Sequence, residues 1–371
     1  MKLADVDQNK LLPMLDTLSG AIEQVLLSGL ATASDATRRT LAVSFQEASR
    51  MRLLRLGSTL RVANEELGRF TRNEEEFSQK RLSFFLGRTW LLGRGLARAI
   101  REGDEAHFQQ LLYVPPASAA PKLELVTLGV AKKHVKDTFC GFDFRLRTIK
   151  NTQSIPAGMS LVWSCIFPLN PGVEVPPEGF LHLPQKQKFK PHIFLEGKSL
   201  KIEQAAVALN ERGSGRLIPG EKSKVSLGTK FTDWNRFTDW QPQPAIEAIA
   251  NYKAGPFDLE VDLQEEVVLD DWSFVDNEPQ ARDGYWAYDI NYRELSIELR
   301  ASASGEGDAL RDELKQLAKA KKRPPLFGLM HYQMCRLVMQ PLAVLEESGP
   351  RHLMISEKNV DKKALLAALK F

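Results

Sequence analysis

Phe142-Asp143-Phe144-Arg145-Leu146-Arg147 alternates apolar and charged side chains at every step. A strand sends successive side chains to opposite faces, so a period of two marks a sheet with one face in a core and the other in water. The pattern returns in Phe257-Asp258-Leu259-Glu260-Val261-Asp262-Leu263 and in Glu294-Leu295-Ser296-Ile297-Glu298-Leu299-Arg300. These stretches anchor a β-rich middle from Lys122 to Arg300. Further strand candidates are Leu123–Val130, Thr138–Ile149, Ser160–Phe167, Phe180–Leu183, His192–Leu195, Arg216–Ile218, Val225–Phe231, Val267–Leu269 and Tyr285–Ile290, with Ala245–Asn251 a short helix among them. Pro156, Pro168, Pro171-Gly172 and Pro176-Pro177 separate several of them. Short strands between turn signals predict a central antiparallel β sandwich or partly open barrel, split into two sheets near Arg212-Gly213.

The flanks read as helices, which makes the chain α+β. An N-terminal antiparallel helical hairpin or bundle occupies residues 1–113, with a first helix over Asp5–Leu30. Ser34 caps a second pattern running to Phe70, in which Leu53, Leu56, Leu60, Ala63 and Leu67 recur by three and four. Asn73 and Glu76 resemble a capping box that opens a third helix to Ile100. Residues 114–121, rich in proline and small side chains, read as a linker. The β-rich domain then covers 122–304. A C-terminal helical cap takes 305–371: a charged helix over Ala309–Lys321, an apolar one over Leu326–Leu345 with a kink before Pro341, a terminal strand near Arg351–Ser356 and an amphipathic helix over Asp361–Phe371.

With 371 residues, 43% hydrophobic and 26% charged, the chain has the make-up of a soluble protein of two or three domains, and a net charge of +3 is too mild to imply nucleic acid by itself. Cys140, Cys165 and Cys335 are too scattered for a disulfide framework. Asp5, Asp7 and Pro13 interrupt any secretory signal, and a cytoplasmic location is expected.

Motifs that carry chemistry are scarce. Gly93-Arg94-Gly95 follows no strand. Gly215-Arg216-Leu217-Ile218-Pro219-Gly220-Glu221-Lys222-Ser223 places a carboxylate where a phosphate loop needs its lysine. The six histidines show no zinc spacing, and a catalytic pair of Cys140 with His134 needs support from the fold. Asp258, Glu260 and Asp262 project from one strand face, the arrangement that chelates magnesium or manganese in a metal-dependent hydrolase. The plainer reading is a wet sheet face paired with Arg145 and Arg147. No catalytic residue, metal or cofactor is assigned.

Contact surfaces are better represented. Arginines crowd the helices, among them Arg50, Arg52, Arg55 and Arg61, and Lys186, Lys188 and Lys190 form a basic tongue. Both suit nucleic acid or an acidic partner, or simply water. Phe231-Thr232-Asp233-Trp234 recurs as Phe237-Thr238-Asp239-Trp240, and Trp234 and Trp240 are candidates for a partner or ligand groove.

Leu56-Gly57-Ser58-Thr59-Leu60-Arg61-Val62-Ala63-Asn64-Glu65-Glu66, Leu183–Pro191, Leu263–Trp272 and Arg323-Pro324-Pro325-Leu326-Phe327-Gly328-Leu329-Met330-His331-Tyr332 resemble an uncharacterised bacterial family encoded beside SWIM zinc-finger proteins and MoxR-type AAA+ ATPases. The resemblance implies membership in a multi-protein system, with an AAA+ ATPase among the partners and no activity to transfer. The sequence therefore predicts a non-enzymatic scaffold subunit first, a nucleic-acid-binding subunit second and a metal-dependent hydrolase third.

Overall fold

The computed structural model describes residues 2–30, 35–74, 77–112, 117–135, 139–152, 155–169, 176–184, 187–209, 214–251, 264–282, 284–303, 306–320, 323–333 and 336–356. It is α+β, with helices first and a sheet-rich region after them, and the two form separate compact units.

The helical unit consists of α1 (Gln8–Ser28), α2 (Asp35–Arg50), α3 (Leu54–Thr71), α4 (Gln79–Glu102) and α5 (Glu105–Leu112) around a leucine-rich core. The single long helix expected before Phe70 is two, because Arg52 takes a left-handed conformation (φ 58°) and turns the chain. Asn73 (φ 53°) follows the end of α3 and opens no helix; Ser78 caps α4 by accepting from the Arg81 backbone N–H. Glu76 lies outside the described residues. Glu66 is buried, and it accepts from Arg69, Arg81 and the Ser78 N–H, tying the end of α3 to the start of α4.

Strands β1 (Ala117–Val135), β2 (Phe139–Thr148), β3 (Ser160–Pro168), β4 (Lys198–Leu209) and β5 (Gly215–Lys230) close a barrel in the order β1-β2-β3-β5-β4. β3 and β5 are parallel and the other described pairs antiparallel. Ala117–Pro121, read from sequence as linker, is already β1 paired with β4. Phe142, Phe144, Trp163 and Phe167 fill the interior, with Phe144 stacked on Trp163 at 5.0 Å. Phe180 and Phe194 plug it from Pro177–His182 and Pro191–Leu195, two 3-10 segments where the sequence reading placed strands. Apolar runs as short as Phe180-Leu181 and Ile193-Phe194-Leu195 do not distinguish a short strand from such a turn. A five-stranded Greek-key barrel with this strand order is an OB-fold.

The second sheet contains β6 (Glu265–Leu269), β7 (Trp272–Phe274), β8 (Gln280–Arg282), β9 (Tyr285–Tyr292), β10 (Leu295–Ser302), β11 (Leu326–Gln333), β12 (Arg336–Glu346) and β13 (Gly349–His352), in the order β6-β11-β12-β10-β9-β7 with β13 on β12 and β8 on β9. Its end members β6 and β7 are consecutive in the chain, with only Asp270 and Asp271 between them. Taken as one bent strand they pair with β9 on one side and β11 on the other, and β10 runs parallel to β12. The first-second-third-fifth-fourth order is thereby repeated, with α7 (Glu306–Lys319) between the third and fourth strands. The sheet region is two OB-folds in tandem.

The expected kinked helix over Leu326–Leu345 is the β11–β12 hairpin. Both faces of these strands are buried, one in the second barrel and the other against the first, so the period of two is hidden. Pro341 is tolerated beside a register shift opposite Gly328. The Asp361–Phe371 helix lies outside the described residues. The barrels meet along a core of Val126, Leu128, Phe231, Trp234, Phe237, Phe327 and Leu342, and the boundary between them follows β5 instead of falling near Arg212-Gly213.

Candidate functional site

The two-residue turn Arg293-Glu294 fixes the register of β9 against β10. Tyr288, Ile290, Ile297 and Leu299 enter the core, which leaves Asp289, Ser296, Glu298 and Arg300 on the outer face. Here a groove of about 740 Å³ opens, lined by Asp289, Ser296 and Glu298, by Tyr332, Arg336 and Leu337 of the β11–β12 hairpin, and by Ile246 and Ala250 of α6 (Pro242–Asn251). Its size falls within the usual range for ligand sites.

The groove is electrostatically uneven. Asp289 and Glu298 are register partners, an opposition of like charges. Glu298 is 3% exposed and accepts from Arg300 and, at 3.1 Å, from Arg336. Arg300 also donates to Gln333 and lies 4.4 Å over the Tyr285 ring. The Arg336 side chain is 57% exposed, a cation held at the rim by a buried carboxylate. Among the described residues, the Asp289 carboxylate has no hydrogen-bond or ion-pair partner.

The equivalent face of the first barrel is partly covered. Arg145 and Arg147 both reach Glu266 of β6, Arg145 at 3.4 Å. Their expected partners on the Asp258, Glu260 and Asp262 face lie outside the described residues, and the carboxylate they meet is Glu266. Lys133 Nζ lies 5.7 Å from the Phe139 ring centroid, and Ile166 is exposed on the neighbouring strand.

The residues proposed from sequence are scattered. Arg50 ends α2 and pairs with Glu47, Arg52 forms the turn, Arg55 donates to the Gln110 carbonyl and Arg61 is exposed on α3. Many of the other helical arginines are neutralised locally: Arg38 by Asp35, Arg98 by Glu102, Arg101 by Asp16. Lys188 and Lys190 are exposed around Phe189, whose ring packs on Trp163; Lys186 lies outside the described residues. Trp234 is core, its indole donating to the Glu346 carbonyl at 2.9 Å, and it is not among the residues lining the groove on β9 and β10. Trp240 packs on Tyr292 and donates to Glu265. Asp258, Glu260 and Asp262 lie outside the described residues, among which no group of three or more His, Cys, Asp or Glu side chains is placed to hold a metal. His134 and Cys140 are register partners, but the Cys140 and Cys165 side chains are buried in the barrel, and burial pushes the Cys165 thiol up to about 12. Among the described residues no helix is long and apolar enough to cross a membrane.

Charge is segregated along the chain. Residues 117–230, the first barrel, hold 17 lysines and arginines against 9 acids, a net of +8, while residues 231–371 hold 17 against 24, a net of −7. The helical residues 1–116 hold 16 against 14, so their arginines produce little net field. Asp289, Ser296, Tyr332 and Arg336 were not singled out from sequence. Alternation in Tyr285–Tyr292 would have placed Asp289 outside; Tyr332 and Arg336 were hidden in the supposed helix.

No protein-family model matches the chain, and no curated protein matches it. Among solved structures, the HINa domain of Ifi202 in complex with a 20-base-pair duplex is 11% identical over 61% of this chain and 94% of its own, with a TM-score of 0.29. A Replication Protein A heterotrimer bound to single-stranded DNA is 10% identical over 62% of this chain and 50% of its own, with a TM-score of 0.28. At such identities and scores nothing about this chain follows from them.

Proposed function

We propose that the tandem barrels bind nucleic acid, with the groove on β9 and β10 as the contact site, and that the protein acts by binding, without catalysis. The observation that carries this reading is the position of the groove. It lies on the outer face of the second and third strands of an OB-fold, where such barrels bind oligonucleotides and oligosaccharides. Arg336 on the rim is the cation this groove offers a phosphate; the +8 belongs to the neighbouring first barrel, while residues 231–371, which line the groove, carry −7, so binding has to draw on both barrels. Tyr332, 49% exposed, offers a ring for base stacking. The test is fluorescence anisotropy of the full chain with mixed-sequence single strands over a salt series. Binding that weakens steadily as salt rises supports the reading. No binding at the lowest salt rules it out.

A second reading, a scaffold subunit of a bacterial cytoplasmic assembly with an AAA+ ATPase among its partners, is favoured by exposed apolar side chains of the helical unit. Leu27 is 86% exposed, Leu26 48% and Phe84 44%. Native purification followed by light scattering tests it, and elution as a lone monomer argues against it.

A further inference from the structure

Two carboxylates opposed across a strand pair are unfavourable, and among the described residues only Glu298 of this pair has a cationic partner. Glu298 has Arg300 and Arg336, whereas the Asp289 carboxylate has no partner among the described residues and lines the groove. The Asp289 carboxylate is partly exposed, so its acceptor oxygens are open to a ligand in the groove. Ile246 and Ala250 of α6 and Leu337 and Tyr332 of the hairpin line the same groove as Asp289, Glu298 and Arg336.

From this we infer that the groove is a guanine slot. The inference rests on the nucleic-acid reading above. A carboxylate only accepts hydrogen bonds, so it selects the base edge richest in adjacent donors. Guanine offers N1–H and an N2 amino hydrogen side by side, a match for two carboxylate oxygens. Adenine and cytosine each offer one amino group beside a ring nitrogen lone pair, which the carboxylate repels. Thymine and uracil offer a single N–H between two carbonyl oxygens. Arg336 takes the adjoining phosphate, and Glu298 positions it there. α6, the connection between the two barrels, thus contributes a wall of the site.

The experiment is competition anisotropy on the full chain with short oligothymidine strands carrying one central guanine, adenine, cytosine or thymine. The guanine strand is expected to bind about 10 to 100 times more tightly than the all-thymine strand, the usual discrimination of a two-bond base contact. Asp289→Asn should abolish that preference while retaining binding. Because it also removes the like-charge opposition, its urea midpoint should equal or exceed that of the parent, which separates a lost contact from a lost fold. Strands that bind with equal affinity whatever the central base overturn the slot and leave the nucleic-acid reading standing. If no strand binds, both fall. An oligolysine peptide that binds the parent protein but not Asp289→Asn, with no strand competing, overturns the slot in favour of a basic peptide.

Discussion

Gly129 of β1 lies against the ring of Phe327 in β11: a side-chain carbon on Gly129 would stand 2.6 Å from Phe327 Cδ1 and 3.0 Å from Leu342 Cβ. The missing side chain lets the two barrels approach along their shared core. Gly129→Val forces that interface open. Overpacking of this kind costs about 1–3 kcal/mol, and the urea midpoint should fall accordingly. An unchanged midpoint would mean that the barrels are not packed along β1.

Glu66, 1% exposed, serves Arg69, Arg81 and the Ser78 N–H together. Glu66→Ala leaves two guanidinium groups and a helix N-terminal N–H without their acceptor. Breaking a buried ion pair from one side costs about 3–5 kcal/mol; with Arg81 half in water, about 3 kcal/mol is expected. Thermal unfolding followed by circular dichroism checks this. A shift in Tm of less than a degree would remove Glu66 from the account of the helical unit.

His352 is half-buried as a residue, but both ring nitrogens are buried with no hydrogen-bond partner among the described residues, and burial holds its pKa down to about 4 from the ordinary 6.5. The unfolded chain therefore takes up a proton through pH 6.5 that the native state refuses until near pH 4. Stability is lost as pH falls across that window and levels off below it. The full loss is about 3 kcal/mol, at roughly 1.4 kcal/mol per pKa unit. The urea stability of His352→Met should exceed the parent's by a margin that widens from pH 7 to pH 4. Parallel curves would contradict the burial of the ring.

The sequence showed what alternates and hid what does not. β2 and β10 are amphipathic, with one face in a barrel core, and their registers follow the pattern of Phe142–Arg147 and Leu295–Arg300. β11 and β12 are buried on both faces, so Leu326–Leu345 reads as an apolar run whose periodicity cannot separate strand from helix. β4 was missed because Lys198–Leu209 mixes exposed lysines with alanines and carries a kink at Gln204 (φ 56°). The groove depends on pairing β10 with β12, a contact between residues about 40 apart that no local pattern specifies. The arginine-rich helices carry little net charge, because acids nearly balance the bases over residues 1–116 and several arginines pair within a helix or between helices. The net positive charge sits instead on the first barrel.

The contact surface itself is open to direct measurement: ultraviolet crosslinking of a bound guanine-containing strand to the full chain, with the attached peptides identified by mass spectrometry. Crosslinks should concentrate on Tyr332 and the β9–β10 face, and Tyr332→Ala should remove most of them. Crosslinks confined to the arginine-bearing peptides of α2 and α3, around Arg50–Arg61, would contradict the assignment of nucleic acid to the second barrel.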